Sequence, residues 1–154
     1  MNSTLLSLRP AIKADHAVLV RFNLEMARET EGKVLDPAVL GAGVARVLTD
    51  PSRGRYFVCE RAGTVVGALM ITLEWSDWRN GDFWWIQSVY TEPAARGAGV
   101  YRALHEHVVA AARSEGAVGV RLYVEPHNAR AIATYTRLGM HKSYDVMETP
   151  FTRW

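Results

Sequence analysis

Apolar residues recur along this 154-residue chain at two different periods, and the switches between them mark out its elements. Residues 5–9 read as a first short strand. After Pro10 the spacing becomes helical, with Val18, Phe22 and Met26 each four apart, so an amphipathic helix begins near Asp15. A polar connection over 29–36 contains Gly32. Asp36-Pro37 then supplies an N-cap followed by proline at the first helical position. That second helix runs to about Leu48 and is stopped by Asp50-Pro51. Strand-like runs follow over 56–61 and 64–74, joined by a tight turn at Ala62-Gly63. Another spans 82–91, reached through Arg79-Asn80-Gly81, where Asn-Gly is a strong hairpin signal. A third helix is expected from Val100 to about Glu115, stopped by Gly116. Val118, Val120, Leu122 and Val124 alternate in a strand over 117–125. Pro126-His127-Asn128 leads into a fourth helix ending at Leu138, with Gly139 as C-cap, and a last strand spans 142–148.

The resulting order, β-α-α-β-β-β-α-β-α-β, sets the fold class. The early hairpins are antiparallel, and strand-helix-strand alternation in the second half argues for an adjacent parallel pair. The expectation is an α/β (α+β) architecture with a mixed central sheet covered by helices. Hydrophobic residues make up 49% of the chain, which suits one domain over 1–154 with a sizeable core. No apolar run approaches the roughly 18 residues of a membrane helix, so no membrane partner is expected. The N-terminus lacks the regions of a signal peptide, and the expected location is cytoplasmic. The single Cys59 cannot form an internal disulfide and reads as a buried, inert thiol in a strand. A net charge of +2 with scattered basic residues gives no footprint for nucleic acid. No His/Cys/carboxylate cluster has ligand spacing, so no metal is expected.

Chemistry concentrates at Arg96-Gly97-Ala98-Gly99-Val100-Tyr101, between a strand and a helix. Glycines in such a turn let the backbone approach a ligand closely, and the helix start behind them offers N–H groups and a positive dipole end to phosphate. Arg96 adds a cation. A P-loop would require Lys-Ser/Thr after the last glycine, and a dinucleotide-binding turn would require a third glycine where Arg102 stands. Pro93-x-x-Arg96-Gly97-x-Gly99-Val100, after Ser88-Val89-Tyr90-Thr91, instead resembles the acyl-CoA-binding motif of the GNAT family of N-acetyltransferases. Leu122-x-Val124-x-x-x-Asn128-x-x-Ala131-x-x-x-Tyr135-x-x-x-Gly139-Met140 resembles the family's second signature. The likeness covers nearly the whole chain. It departs at Tyr101, where the family pattern has a small residue.

The resemblance implies an acetyl-CoA-dependent enzyme whose cosubstrate contacts Val89, Tyr90, Thr91, Arg96, Gly97, Ala98, Gly99, Val100, Tyr101, Asn128, Ala131 and Tyr135. It implies that the strand before the glycine turn bulges and splays, so that the pantetheine arm lies in the gap as an added strand. A backbone N–H at Val89 or Tyr90 would then stabilise the thioester oxygen. Asn128 and Tyr135 are seven apart and share a helix face. Tyr135 is implied as the acid that protonates the leaving thiolate, although Ile132, Tyr135 and Leu138 also form an ordinary apolar stripe.

The base stays open, because Trp85-Ile86-Gln87-Ser88 has no carboxylate. Glu74, Asp77 and Asp82 flank the hairpin; Glu25, Glu29 and Glu31 lie on or just after the first helix; Glu125 and His127 precede the last. Glu25, Glu29, Glu74, Asp77, Trp85 and Gln87 are the candidate acceptor residues. Four of the five Trp fall between Trp75 and Trp85, which fits either a homodimer contact or a wall for a small cationic amine. The expected reaction is direct acetyl transfer to a primary amine of a small molecule. The alternatives are acetylation of a protein N-terminus or lysine, and a non-catalytic acyl-CoA sensor.

Overall fold

The computed structural model describes residues 5–152, which cluster into two compact units, one ending at Leu122 and one starting at Tyr123. The first holds strands β1 (Leu6–Pro10), β2 (Arg55–Arg61), β3 (Thr64–Ser76), β4 (Gly81–Thr91) and β5 (Gly119–Leu122), with helices α1 (His16–Glu31), α2 (Pro37–Thr49) and α3 (Val100–Ser114). The second holds helix α4 (Ala129–Arg137). The sheet order is β1-β2-β3-β4-β5; every neighbouring pair is antiparallel except β4 and β5, which run parallel. The mixed sheet with helices is the expected fold class.

Both faces of the sheet are covered, because β2, β3 and β4 carry apolar residues at successive positions. Tyr56, Val58, Ala68 and Tyr90 pack with Leu19 and Phe22 of α1 and Val44 of α2. Phe57, Cys59, Leu69, Ile71, Trp84 and Ile86 pack with Val100, Leu104 and Val108 of α3. Cys59 is fully buried, and burial pushes its thiol pKa up, as expected of a packing residue. Gly67 decides how closely α3 seats: a Cβ there would lie 2.5 Å from Val100 Cγ1 and 3.2 Å from the Tyr90 carbonyl. The first residue of α3, and the glycine turn before it, are thereby held down on β3.

Four expectations are corrected. Residues 29–31 belong to α1, because Gly32 at φ 61° closes the helix by donating to the Ala27 and Arg28 carbonyls. The hairpin strands run further than expected, to Ser76 and from Gly81. The strand expected over 117–125 forms only at Gly119–Leu122, pairing with Phe83–Ile86 and ending just before β4 bends. Residues 142–148 carry no regular structure, and Tyr144, Val146 and Met147 are exposed. A strand exists only through its partner, and apolar alternation alone does not supply one.

Candidate active site

The geometry of β4 dominates the first unit. Ala68 pairs with Tyr90 and Met70 with Gln87, so Ser88 and Val89 together face the single residue Leu69. This is a β-bulge, with Ser88 at φ 52°, a left-handed conformation uncommon outside glycine. Among the described residues β5 accompanies β4 only from Phe83↔Gly119 to Ile86↔Leu122. The segment from Gln87 to Thr91 continues past the end of its parallel neighbour, leaving an edge able to accept an extended ligand.

Thr91 leads through a short 3-10 turn at Pro93–Ala95 into the glycine turn. Arg96 is extended, Gly97 and Gly99 both sit at φ 80°, and Gly99 is the N-cap of α3 without a side-chain cap. Added Cβ atoms at Gly97 and Gly99 would meet nothing within 4 Å. The glycines are thus needed for their left-handed backbone, and the space over them is open. The first N–H groups of α3 lack intrahelical partners there and present the positive dipole end. Tyr101 does not block this turn. Its ring packs against the α3-side core, and its hydroxyl lies 3.1 Å from Nδ1 of His105, one helical turn on. His105 is buried, which holds its pKa below the usual histidine value.

Charged side chains converge beside the bulge. Arg21, Glu25 and Glu29 recur every four residues along α1 and so share one face. Tyr90 Oη donates to Glu25 Oε2 at 2.6 Å and lies 3.5 Å from Glu29 Oε1. Arg96 donates to Glu29 Oε2 at 2.7 Å and to the Thr91 carbonyl at 3.1 Å, with its guanidinium 5.6 Å from the Tyr90 ring centre. Arg21 pairs with Glu92 and lies 3.6 Å from Glu25. The Tyr90 hydrogen bond, reinforced by Arg21, holds the Glu25 carboxyl below the usual carboxylate range. Burial and the facing Glu25 push the Tyr90 phenol well above its usual value. Tyr90 is therefore a fixed donor and Glu25 a fixed anion at neutral pH.

The structure brings together only some of the candidate residues. Val89, Tyr90, Thr91, Arg96, Gly97, Ala98, Gly99, Val100 and Tyr101 line the bulge and turn, and Glu25 and Glu29 lie beside them. Gln87 is turned to Thr72, donating to its hydroxyl at 2.6 Å. Glu74 lies opposite Phe83 in the register, about 16 Å of strand before Ser88, and pairs with Arg121 at 2.8 Å. The Arg121 guanidinium caps Phe83 at 3.5 Å and approaches Trp85 at 6.0 Å. Asp77, at the tip of the β3–β4 hairpin, accepts from the Trp78 N–H. Glu74 and Asp77 therefore stand apart from Glu25 and Glu29. The tryptophans divide as well: Trp84 is core, while Trp75 and Trp78 are exposed. Within the second unit, Asn128 caps α4, its Oδ1 accepting from the Ala131 N–H at 3.1 Å. Tyr135 lies further along this helix, and partial burial raises its phenol pKa.

Arg21, Glu92 and the phenol of Tyr90 belong to this charged cluster, and the sequence reading does not single them out. The four-residue spacing of Arg21, Glu25 and Glu29 was the available clue for the first. Nothing local announces that the Tyr90 hydroxyl reaches Glu25 and Glu29.

A bulged strand, an edge that β5 leaves unpaired beyond the bulge and a two-glycine turn at a helix start form an arrangement able to take an extended, phosphate-bearing ligand. A sequence profile of the Acetyltransferase (GNAT) family matches residues 23–140. The chain belongs to this family. It resembles the structure of a possible acetyltransferase from Clostridium difficile 630 with a TM-score of 0.90 and 41% identity, over 97% of this chain and 99% of that one. It is 34% identical over 100 residues to the mycothiol acetyltransferase of Thermobispora bispora, covering 64% of this chain and 30% of that protein. It is 31% identical over 85 residues to the IAA acetyltransferase of Azospirillum brasilense, covering 55% and 53%. The chain thus spans under a third and about half of the curated relatives it matches. Among the described residues no helix is long and apolar enough to cross a membrane, and no group of three or more His, Cys, Asp or Glu is placed to hold a metal ion.

Proposed function

We propose that this protein is an acetyl-CoA-dependent N-acetyltransferase acting on a primary amine of a small, cationic molecule. The observation that carries this reading is the bulge at Ser88–Val89 followed directly by an open strand edge and the Gly97–Gly99 turn. Acetyl-CoA fits these features. Its pyrophosphate would rest on the N–H groups from Gly97 to Tyr101 with Arg96 beside them, and its pantetheine arm along Gln87 to Thr91. The cosubstrate supplies an activated acetyl group; the chain's residues orient it and manage charge and protons.

The backbone N–H of Val89 or Tyr90 polarises the thioester carbonyl, a task for which backbone donors at a bulge are well suited. Glu25 and Glu29 hold the acceptor's ammonium. The Tyr90 hydrogen bond favours the anionic form of Glu25, which suits it to anchoring the cation while the proton leaves through water. Tyr135, assigned by the second family signature, protonates the departing thiolate, and its raised pKa keeps it protonated for that purpose. The sole cysteine is buried in the α3-side core, which supports direct transfer over an acetyl-cysteine intermediate. The two curated relatives are named for small-molecule acceptors, which favours the same class here.

The test is thiol release from acetyl-CoA across polyamines, amino sugars, amino acids and short peptides, with wild type and Tyr135→Phe side by side. Turnover of a small cationic amine, with kcat about 100-fold lower in the variant and CoA affinity unchanged, is expected. An unchanged kcat removes Tyr135 from the mechanism. Turnover confined to peptides overturns the acceptor class.

A further inference from the structure

Arg96 is not idle. Its guanidinium is held by Glu29 at 2.7 Å and by the Thr91 carbonyl at 3.1 Å, at the mouth of the turn assigned to the cosubstrate's phosphates. Glu29 in turn lies 3.5 Å from the Tyr90 hydroxyl, beside the Glu25 carboxylate assigned to the acceptor. One side chain therefore touches both halves of the site. We infer that Glu29 is a positioning residue that couples them: it holds Arg96 in readiness, yields it to the phosphates of arriving CoA, and is thereby freed as a second carboxylate for the acceptor's ammonium. This inference rests on the cosubstrate reading given above.

Both partners of the contact are substantially exposed, 48% for the Arg96 side chain and 35% for Glu29. Exposed ion pairs are worth little, so a ligand carrying several negative charges displaces Glu29 easily. The same weakness limits the coupling to at most about five-fold in an equilibrium constant. Arg96 keeps its place when Glu29 lets go, because the Thr91 carbonyl still accepts from Nε. Coupling is reciprocal, so CoA binding raises affinity for a cationic amine by the factor that Glu29 costs CoA.

The sign of the effect separates this role from a structural one. Neutralising a residue that merely supports the site weakens ligand binding, whereas neutralising an internal competitor strengthens it. Calorimetry with CoA on the full chain should find Glu29→Gln binding about three-fold tighter than wild type, with binding of pantetheine, which carries no phosphate, unchanged. Arg96→Gln should weaken CoA binding, and adding Glu29→Gln to it should change nothing further. Glu31→Gln, two residues on and paired with Lys33, controls for loss of a negative charge in general. In turnover, Glu29→Gln should lower the KM for acetyl-CoA and raise the KM for the accepted amine. Unchanged or weaker CoA binding in Glu29→Gln, or equal tightening in Glu31→Gln, overturns the proposal while leaving the cosubstrate reading intact. An amine KM equal to wild type overturns the acceptor half. Failure of the wild type to bind CoA at all overturns the cosubstrate reading, and this inference with it.

Discussion

Gly67→Ala tests the link between sheet packing and the glycine turn. Gly67 lies outside the left-handed region, so alanine meets no backbone penalty and the effect is purely steric. The new methyl carbon would sit 2.5 Å from Val100 Cγ1, 3.2 Å from the Tyr90 carbonyl and 3.5 Å from Leu104 Cδ1. Val100 is 2% exposed and β-branched in a helix, so it has no second rotamer to retreat into. Overpacking of this kind costs about 1–3 kcal/mol. Replacing glycine also restricts the unfolded chain, which returns about 0.4–1 kcal/mol. The net loss is therefore about 1–2 kcal/mol, a fall in Tm of roughly 2–8 °C for a chain of this length.

Relief by moving α3 carries Val100, and with it Gly99 and Gly97, away from β3, so CoA binding should weaken by more than Tm alone accounts for. Thermal melts and calorimetry measure the two effects. Val100→Ala is the decisive companion, since it removes the clashing methyl. The double variant should be no less stable than Val100→Ala alone, a coupling that independent sites do not show. A Gly67→Ala protein that melts with the wild type, or a double variant whose losses simply add, refutes the claim that this contact seats the turn.

Two further outcomes follow from the ion pairs. Glu25→Gln should raise the KM for a cationic amine about ten-fold with little change in the KM for acetyl-CoA; it should also lower the Tyr90 phenol pKa, read as tyrosinate absorbance appearing at lower pH, because the facing anion is gone. Equal KM values for the amine remove Glu25 from the acceptor site. Asp15 is buried, accepts from Arg9 at 2.8 and 3.1 Å and from the Ile12 N–H at 2.7 Å, and Arg9 holds its pKa down. A depressed carboxyl pKa contributes stability that is present above the unfolded value of about 3.9 and lost as pH falls through the lower folded value. Asp15→Asn should therefore cost about 1–2 kcal/mol at pH 7 and flatten the acid limb of the stability profile below about pH 4; an unchanged acid limb refutes the assignment.

The elements readable in the sequence are those whose signals are local. Asp36-Pro37 starts α2, with Asp36 accepting from the Ala38 N–H at 2.8 Å, and Asn128 caps α4 in the same way. The Asn80-Gly81 hairpin also forms, with Asn80 at φ 51°. Features that depend on a distant partner were not legible. The length of β5 is set by where β4 bends, and no residue within 117–125 encodes that. The closeness of Gly67 to Val100 is a meeting of β3 with α3 across 33 positions, invisible as a pattern in either element. The candidate site divides the same way. Nothing local in the sequence ranks Glu25, Glu29, Glu74 or Asp77 above the others as an acceptor carboxylate. Register alone separates them, by laying α1 over Tyr90 and leaving Glu74 opposite Phe83.

That division has a physical basis in what each half of the site is made from. The bulge, the freed edge and the glycine turn are backbone features, and the residues that produce them, Ser88, Gly97 and Gly99, matter for conformation rather than for side-chain chemistry. Such features tolerate wide change in the surrounding side chains as long as φ angles and register survive. The charged group beside them is the opposite case. Glu25 and Glu29 depend on the four-residue spacing along α1, on Tyr90 being aromatic with a hydroxyl, and on Arg96, so single substitutions reshape it. Related chains of this fold should therefore differ most at the α1 face, which the proposed function gives to the acceptor, and least in the backbone path from Ser88 to Val100. Exchanging Arg21, Glu25 and Glu29 for the residues of another such protein should alter which amine is accepted without abolishing CoA binding; loss of CoA binding in that exchange would mean that the two halves are not separable.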